Sequence, residues 1–213
     1  MRVEIASDLV CPWCYIGKRR FERAVSQLRE EGVTIDLDVR YRAFLLDPTA
    51  PLGEPTPVKD AYAKKFGGTA HAERILANVT AVAAQEGIEF RMETAIRANT
   101  LPAHRLLKFV ENVNPSLQGE VNESIMRGYF CEGLDISRDE TLRRCAERAG
   151  LSVEKDVNLS DAALTAQVEQ DVRWASDRDI TAVPTFVVND SLVVPGAQDS
   201  DTFARLIRRM AER

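Results

Sequence analysis

The pattern of apolar and polar positions changes twice within the first part of the chain. Apolar positions at alternate places in residues 3–10 predict a short strand. Apolar residues then recur at helical spacing over 21–28, and strict alternation follows over 34–43. Because this last segment has one polar face, we expect a strand at the edge of a sheet. The order strand, helix, strand predicts a parallel βαβ unit.

The rest of the chain first reads as helical and then returns to strands. Between residues 58 and 178 the apolar spacing predicts six helices, near 57–67, 69–87, 102–112, 116–131, 139–149 and 161–177. The segment 185–194 predicts a hairpin with a turn at Asn189-Asp190-Ser191, and a final amphipathic helix follows it. We therefore expect one α/β domain that is split by a helical insertion.

Composition and charge exclude several classes of function. The 213 residues are 45% hydrophobic and 29% charged, with a formal net charge of −5. A negative chain without a block of lysine and arginine argues against nucleic acid or an anionic membrane as partner. No apolar run approaches the roughly 20 residues of a membrane span. The N-terminus lacks a secretory pattern, so we expect a cytoplasmic protein.

Chemistry is indicated by Cys11-Pro12-Trp13-Cys14, at the junction of the first strand and the first helix. The unpaired N–H groups and the dipole of a helix N-terminus stabilise a thiolate there and lower its pKa. Pro12 suits the first turn, and Cys14 is close enough to form a disulfide. The spacing predicts an exposed nucleophile at Cys11 and a more buried resolving thiol at Cys14.

Other interpretations of the cysteine pair fit less well. A zinc site needs about four ligands, and the two histidines, His71 and His104, do not complete a ligand motif. Haem attachment needs a histidine after Cys14, where Tyr15 stands. Two inert, packed cysteines are the remaining structural alternative. We expect neither a metal nor a cofactor.

A second motif lies near the end of the chain, where Val183-Pro184 precedes an apolar strand. Proline is tolerated at the first residue of a strand, and a cis bond here is the other interpretation. A cysteine pair together with such a proline resembles the thioredoxin superfamily. More narrowly, the chain resembles the DsbA-like FrnE family in four stretches, SDLVCPWCYIGKRRFE, NTLPAHRLLKF, RGYFCEGLDIS and the ending VPTFVVND…VPGAQ.

That resemblance covers nearly the whole chain and implies a thioredoxin-like fold with a large inserted α-helical domain. The thioredoxin-like domain is expected in residues 1–50 and 178–213, and the inserted helical domain in 51–177. The resemblance also implies that Cys11 is the nucleophile, Cys14 the resolving thiol and Val183-Pro184 the loop that faces the substrate.

Four further residues are candidates for the site. Asp8 either moves protons for Cys14 or caps the loop. Trp13 either contacts substrate with Pro12 or is an exposed filler. Asn99 and His104 either line the cleft from the helical domain or are structural. We assign His104, with the two residues between the cysteines and the proline loop, to substrate binding.

These features predict a thiol-disulfide oxidoreductase, with a glutathione-dependent isomerase or transferase of the kappa-like class as the alternative. Proteins of that class generally carry Ser at the position of the first cysteine, so the presence of both cysteines argues against this alternative. A redox-insensitive binding module is a third hypothesis. The expected partners are disulfide-containing proteins or small-molecule thiols, glutathione included. Cys131 and Cys145 are expected to be buried free thiols. A helix-stabilised thiolate favours the reduced form, so we expect the reductase or isomerase direction.

Overall fold

The computed structural model describes residues 1–53, 56–154 and 156–211 as a four-stranded sheet with helices. The strands are β1 Arg2–Ser7, β2 Asp38–Ala43, β3 Thr185–Val188 and β4 Leu192–Pro195. The helices are α1 Pro12–Glu30, α2 Val58–Phe66, α3 Thr69–Gln85, α4 Leu101–Val113, α5 Gln118–Glu132, α6 Asp139–Arg148, α7 Ala162–Ser176 and α8 Ser200–Ala211, with a 3-10 turn at Pro115–Leu117. The helices predicted from apolar spacing agree with these bounds within a few residues.

The sheet has the strand order β2-β1-β3-β4, with β1 and β2 parallel and the other pairs antiparallel. The crossover between the parallel strands is α1, as the strand, helix, strand pattern predicts. Val188 pairs with Leu192 across the hairpin, and Asn189 and Asp190 have positive φ angles of 48° and 55°. This mixed α/β architecture with a four-stranded sheet confirms the predicted fold class.

Strand β2 lies at the sheet edge as predicted, but it is shorter and less exposed than its alternation suggests. It begins at Asp38 because β1 begins at Arg2, its partner in register, so residues 34–37 have no strand to pair with. The predicted polar face is also partly wrong at Arg42. Its guanidinium lies under α7 and forms ion pairs with the buried carboxylates of Glu4 and Asp171.

The outer edge of β2 is covered by side chains instead of another strand. Gln118 accepts the N–H of Tyr41 at 2.9 Å, and Asp171 accepts the N–H of Ala43 at 3.0 Å. Unpaired strand edges attract other strands, so these two side chains protect β2. They also attach α5 and α7 to the sheet.

One hydrophobic core joins the sheet to α1 and α8. The rings of Phe21 and Phe186 lie 5.5 Å apart, and Phe203 packs on Phe186 at 4.6 Å. All three are buried, and each contributes about 2 kcal/mol of apolar burial. This core holds α1 against the sheet and so fixes the direction in which its N-terminus points.

A second core links the first turn of α1 to the helices between β2 and β3. It contains Cys11, Cys14 and Tyr15 together with aromatic residues such as Phe90 and Phe130, whose rings stack at 4.5 Å. The helical segment is therefore packed directly on the cysteine pair. Its division from the thioredoxin-like part at residues 50 and 178 stays a prediction.

Two further observations concern membrane spans and metal sites. None of the helices in the described ranges combines the length and apolar character that a membrane span requires. Among residues 1–53, 56–154 and 156–211, no three His, Cys, Asp or Glu side chains come together as a metal site would need.

Candidate active site

The cysteine pair lies at the N-terminus of α1, where local geometry is set by the chain itself. Cys11 is the N-cap, with extended backbone (φ −88°, ψ 114°), and Pro12 occupies the first turn. The N–H of Cys11 donates to the carbonyl of Asp8 at 3.1 Å, and the N–H of Cys14 donates to the carbonyl of Cys11 at 3.0 Å. The junction thus directs the Cys11 side chain toward the end of the helix dipole.

Both thiols are free and buried, whereas the sequence predicts an exposed thiol at Cys11. Cys11 is 6% exposed and Cys14 is 2% exposed. The expectation of an exposed Cys11 is wrong because the helices between β2 and β3 cover the junction. The expected order of exposure is retained, with Cys14 the deeper of the two.

The two thiols differ in acidity because Cys14 is more deeply buried and because they hydrogen-bond to each other. A hydrogen bond from the Cys14 thiol lowers the pKa of the Cys11 thiol, and the backbone N–H groups of Cys14 and Trp13 act in the same direction. Burial and the nearby Asp8 carboxylate oppose this effect. Burial raises the pKa of the Cys14 thiol well above its ordinary value, and its donation to Cys11 adds to the rise. Of the two thiols, Cys11 is therefore the one whose surroundings favour the thiolate.

The loop before β3 meets Cys11 from the other end of the chain. The Val183–Pro184 peptide bond is cis. The Sγ atom of Cys11 lies 3.7 Å from the carbonyl oxygen of Val183. Pro184 is buried against α1 at Gly17, where an added Cβ would lie 3.0 Å from the proline ring. Glycine at this position therefore permits the close approach of the loop.

An apolar cleft of about 280 Å³ opens beside Cys11. Trp13 is 39% exposed at its rim, and Pro12 also lines it. Burial raises the pKa of Tyr62 to about 12, and the charge of nearby Cys11 contributes to the rise. The remaining lining residues come from the residue before Cys11, the loop after β2, α2, α3, the segment before α4 and α5: Val10, Leu46, Asp47, Val58, Ala61, Lys65, Phe66, Ile75, Val79, Arg97, Ala98 and Tyr129.

The sequence reasoning missed the contribution of α2 to this cleft. Tyr62 and Phe66 are four residues apart, and their rings lie 5.3 Å from each other. An aromatic pair at this spacing on a helix with few buried residues was the available signal. Position along the chain did not indicate that this helix packs beside Cys11.

The candidate His104 lies close to the cysteine pair but does not face the cleft. It is 3% exposed, and its Nε2 lies 3.3 Å from Oδ1 of Asp8. A direct substrate contact does not fit this burial. Asp8 is fully buried and also accepts the N–H of Leu46 at 2.8 Å, which fits the predicted loop-capping role. Asn99 is structural, because its amide donates to the carbonyl of Ala50 and its oxygen accepts the N–H of Leu101.

The other two cysteines lie in α5 and α6. Cys145 is fully buried, as predicted, and its Sγ accepts a hydrogen bond from Arg148 at 3.4 Å. Cys131 is only partly buried, so that prediction is wrong for it. Burial nevertheless raises the pKa of the Cys131 thiol, and it borders a cavity of about 370 Å³ with Arg19 and Arg127.

Comparisons with known proteins agree with the fold. A family model described as a DSBA-like thioredoxin domain matches residues 2–208. The uncharacterized protein YwbO of Bacillus subtilis (strain 168) is 28% identical over 214 residues, 97% of this chain and 96% of its own. A probable DsbA oxidoreductase from Streptomyces coelicolor is 32% identical, with a TM-score of 0.88 over 100% of this chain and 91% of that chain.

A more distant structure with the same fold was solved with GSH. The cytosolic disulfide reductase DsbM from Pseudomonas aeruginosa, solved with GSH, has a TM-score of 0.68 and is 18% identical. It covers 100% of both chains. At this level of identity the likeness concerns the fold alone.

Proposed function

Since this chain belongs to the family of DsbA-like thioredoxin domains, we propose that it is a thiol-disulfide oxidoreductase that exchanges disulfides through Cys11-Pro12-Trp13-Cys14. The observation that carries the proposal is the asymmetry of the pair. One thiol has a lowered pKa at a helix N-terminus beside a cleft, and its neighbour is more buried with a raised pKa. Nucleophilic attack and later resolution need these two different properties.

The first step is attack by the Cys11 thiolate on one sulfur of a substrate disulfide. A bond forms between Cys11 and that sulfur, and the substrate's own S–S bond breaks. The electron pair leaves with the second substrate sulfur, which becomes a thiol after taking a proton. The product is a mixed disulfide at Cys11.

The second step is resolution by Cys14. Once Cys11 is in a mixed disulfide, its thiolate no longer accepts the hydrogen bond of the Cys14 thiol. The hydroxyl of Ser7 and the backbone N–H of Asp8 then favour the Cys14 thiolate. Its attack on Cys11 forms the Cys11–Cys14 disulfide and releases the other substrate thiol. The substrate gains two electrons and two protons, and an external thiol must reduce the protein again.

Substrate contacts fall to the residues around Cys11. Pro12 and Trp13 border the cleft. We expect the carbonyl of Val183, which lies beside Cys11 and Pro184, to accept an N–H of an extended substrate chain. His104 does not contact the substrate and acts on the site through its contact with Asp8. The substrates are disulfide-containing proteins or small-molecule thiols and disulfides, and the DsbM structure with GSH supports including glutathione.

The chain is of the FrnE type, with helices of residues 51–177 inserted between the thioredoxin-like parts 1–50 and 178–213. It acts in the cytoplasm as a reductase or isomerase, and the naming of DsbM as a cytosolic disulfide reductase supports this setting. At a cytosolic glutathione potential of about −220 to −320 mV, a pair with a higher potential is mostly reduced.

The proposal is tested by reduction of insulin with dithiothreitol as the external thiol. We expect the protein to accelerate the reaction and the Cys14→Ala variant to accumulate mixed disulfides at Cys11. The Cys131→Ser variant is the matched control, because that thiol lies outside the cleft. A kappa-like isomerase or transferase would instead require glutathione and keep its activity without Cys14. Absence of exchange with insulin and with glutathione disulfide would refute the proposal.

A further inference from the structure

A buried ionisable pair connects α4 to the cysteine junction. Asp8 has a fully buried side chain, and Oδ2 accepts the N–H of Leu46 at 2.8 Å. Its other oxygen, Oδ1, faces Nε2 of His104 at 3.3 Å. His104 is itself 3% exposed and stands in the first turn of α4, where its N–H donates to the carbonyl of Thr100. The two partners are 96 residues apart in sequence.

A carboxylate in such a position is costly unless its charge is balanced. Transfer of an unpaired charge from water into a protein interior costs several kcal/mol, on the order of the stability of a domain. One backbone N–H satisfies Oδ2 of Asp8 but brings no net charge. The imidazole of His104 is the one side chain bonded to the Asp8 carboxylate, among described residues, that can carry a positive charge.

The charge of Asp8 also reaches the nucleophile. The carboxylate acts against the lowered pKa of Cys11, because two negative charges at close range repel each other. A proton on His104 makes the pair neutral, and without it the pair carries one negative charge beside Cys11. The charge of the Asp8–His104 pair thus affects how stable the Cys11 thiolate is at the end of α1.

Other titratable groups surround the pair from each packed element. Cys11 and Cys14 come from the junction, and Tyr129 comes from α5, where its hydroxyl donates to the carbonyl of Ile96. One turn further along α4, Lys108 is held by the carboxylate of Asp171 at 2.5 Å. Since these groups already have partners of their own, none of them replaces His104 beside Asp8.

We infer that His104 is a positioning residue for Cys11: it offsets the charge of Asp8 and so increases the thiolate fraction of the nucleophile. The inference deepens the proposed function, on which it rests for its biological use. Because His104 belongs to α4, the reactivity of Cys11 depends on contact between the helical segment and the junction. The contact between His104 and Asp8 favours attack by Cys11, and its loss weakens attack.

The test is the pH profile of Cys11 alkylation by iodoacetamide in the fully reduced protein. The His104→Gln variant keeps an N–H donor toward Asp8 but cannot carry a charge. We expect its alkylation midpoint to rise by about one pH unit, the effect of a neighbouring charge. The matched control is His71→Gln, which removes the exposed histidine of α3 and leaves the midpoint unchanged. An unchanged midpoint in folded His104→Gln protein overturns the inference.

A double-variant cycle separates the charge of His104 from its packing. In an Asp8→Asn background the midpoint should fall, and adding His104→Gln should then change nothing. If His104→Gln has the same effect in both backgrounds, it does not act through Asp8, and the inference is wrong. Circular dichroism and thermal unfolding check that each variant is folded.

If these variants do not fold, NMR of the His104 ring tests the inference without a substitution in the core. In the His71→Gln protein, His104 is the remaining histidine of the two in the chain, so its ring signals are resolved by NMR. Alkylation of Cys11 removes the thiolate charge, and we expect the chemical shifts of the ring to change at constant pH. A ring that does not respond refutes the inference. Neither readout needs turnover, so failure of insulin reduction would refute the proposed function alone.

Discussion

The Sγ atom of Cys11 lies 3.7 Å from the carbonyl oxygen of Val183, although the two residues are 172 positions apart in sequence. The N-terminus of α1 brings one partner to this place, and the loop before β3 brings the other. Because β1 and β3 are neighbours in the sheet, the loops at their ends meet. The thiol of Cys11 therefore faces a backbone carbonyl from the far end of the chain.

The two cysteines should give different phenotypes. We expect Cys11→Ser to abolish insulin reduction, because the nucleophile is lost. Cys14→Ser should form mixed disulfides that persist, because the resolving thiol is missing. Non-reducing gels with mass spectrometry identify the trapped residue. Mixed disulfides at Cys14 in the Cys11→Ser protein would reverse the two roles.

Alkylation of the reduced protein should depend on pH through Cys11. Its pKa is lowered, so its thiolate forms at a lower pH than that of an unfolded cysteine. Cys14 should stay unreactive over the same range, because its pKa is raised. Thiol-specific mass labelling from pH 4 to 10 measures both. Earlier labelling of Cys14 would contradict the asymmetry.

The same shift has a consequence for stability. A group with a lowered folded pKa stabilises the folded state above its unfolded pKa, and this contribution is lost as pH falls through the folded pKa. The Cys11 contribution to the reduced protein should follow this course relative to the Cys11→Ser variant. Urea unfolding at several pH values measures the difference, and a difference that is constant with pH would contradict it.

Trp13 should affect substrate binding more than chemistry. It is 39% exposed at the cleft rim and makes apolar area available to a substrate. We expect Trp13→Ala to raise KM for a protein substrate about tenfold, or about 1.4 kcal/mol, with little change in kcat. Val193→Ala, which removes an exposed apolar side chain of β4, is the control. A fall in kcat alone would indicate a different role.

The buried carboxylate of Asp171 should be important for stability. It pairs with Arg42 and Lys108 and accepts the N–H of Ala43. Replacing it with Ala leaves Glu4 as the remaining partner of Arg42 and Glu111 as that of Lys108, and it removes the acceptor of the Ala43 N–H. We therefore expect a loss of about 3–5 kcal/mol in the free energy of unfolding. Glu169→Ala breaks an exposed pair in the same helix and should cost less than about 1 kcal/mol. Similar losses in both variants would refute this account.

The redox state in growing cells tests the direction of electron flow. A thiolate stabilised at Cys11 favours the dithiol, so acid quenching followed by alkylation should find Cys11 and Cys14 mostly reduced. A mostly oxidised pair would mean that a dedicated oxidising partner acts on the protein. It would also contradict the proposed reductase or isomerase direction.

The sequence by itself determined the features that arise within a few residues of chain. The helices follow from apolar spacing, and the position of Cys11 at an N-terminus follows from the strand, Pro12 and the helix after it. Such features depend on hydrogen bonds and side-chain contacts inside one element, so they can be predicted locally. The expected order of burial, with Cys14 deeper than Cys11, belongs to this class, whereas the burial that raises the pKa of Cys14 comes from the packing of distant helices.

Only the tertiary structure decided which distant side chains meet. His104 faces Asp8 and not the cleft, Tyr62 borders the cleft, and Arg42 is covered by α7 although its strand alternates like an exposed one. The pairing partner β1 decided where β2 begins. The physical reason is that burial and charge pairing depend on how helices pack over the sheet, and the spacing within one segment carries no information about that arrangement.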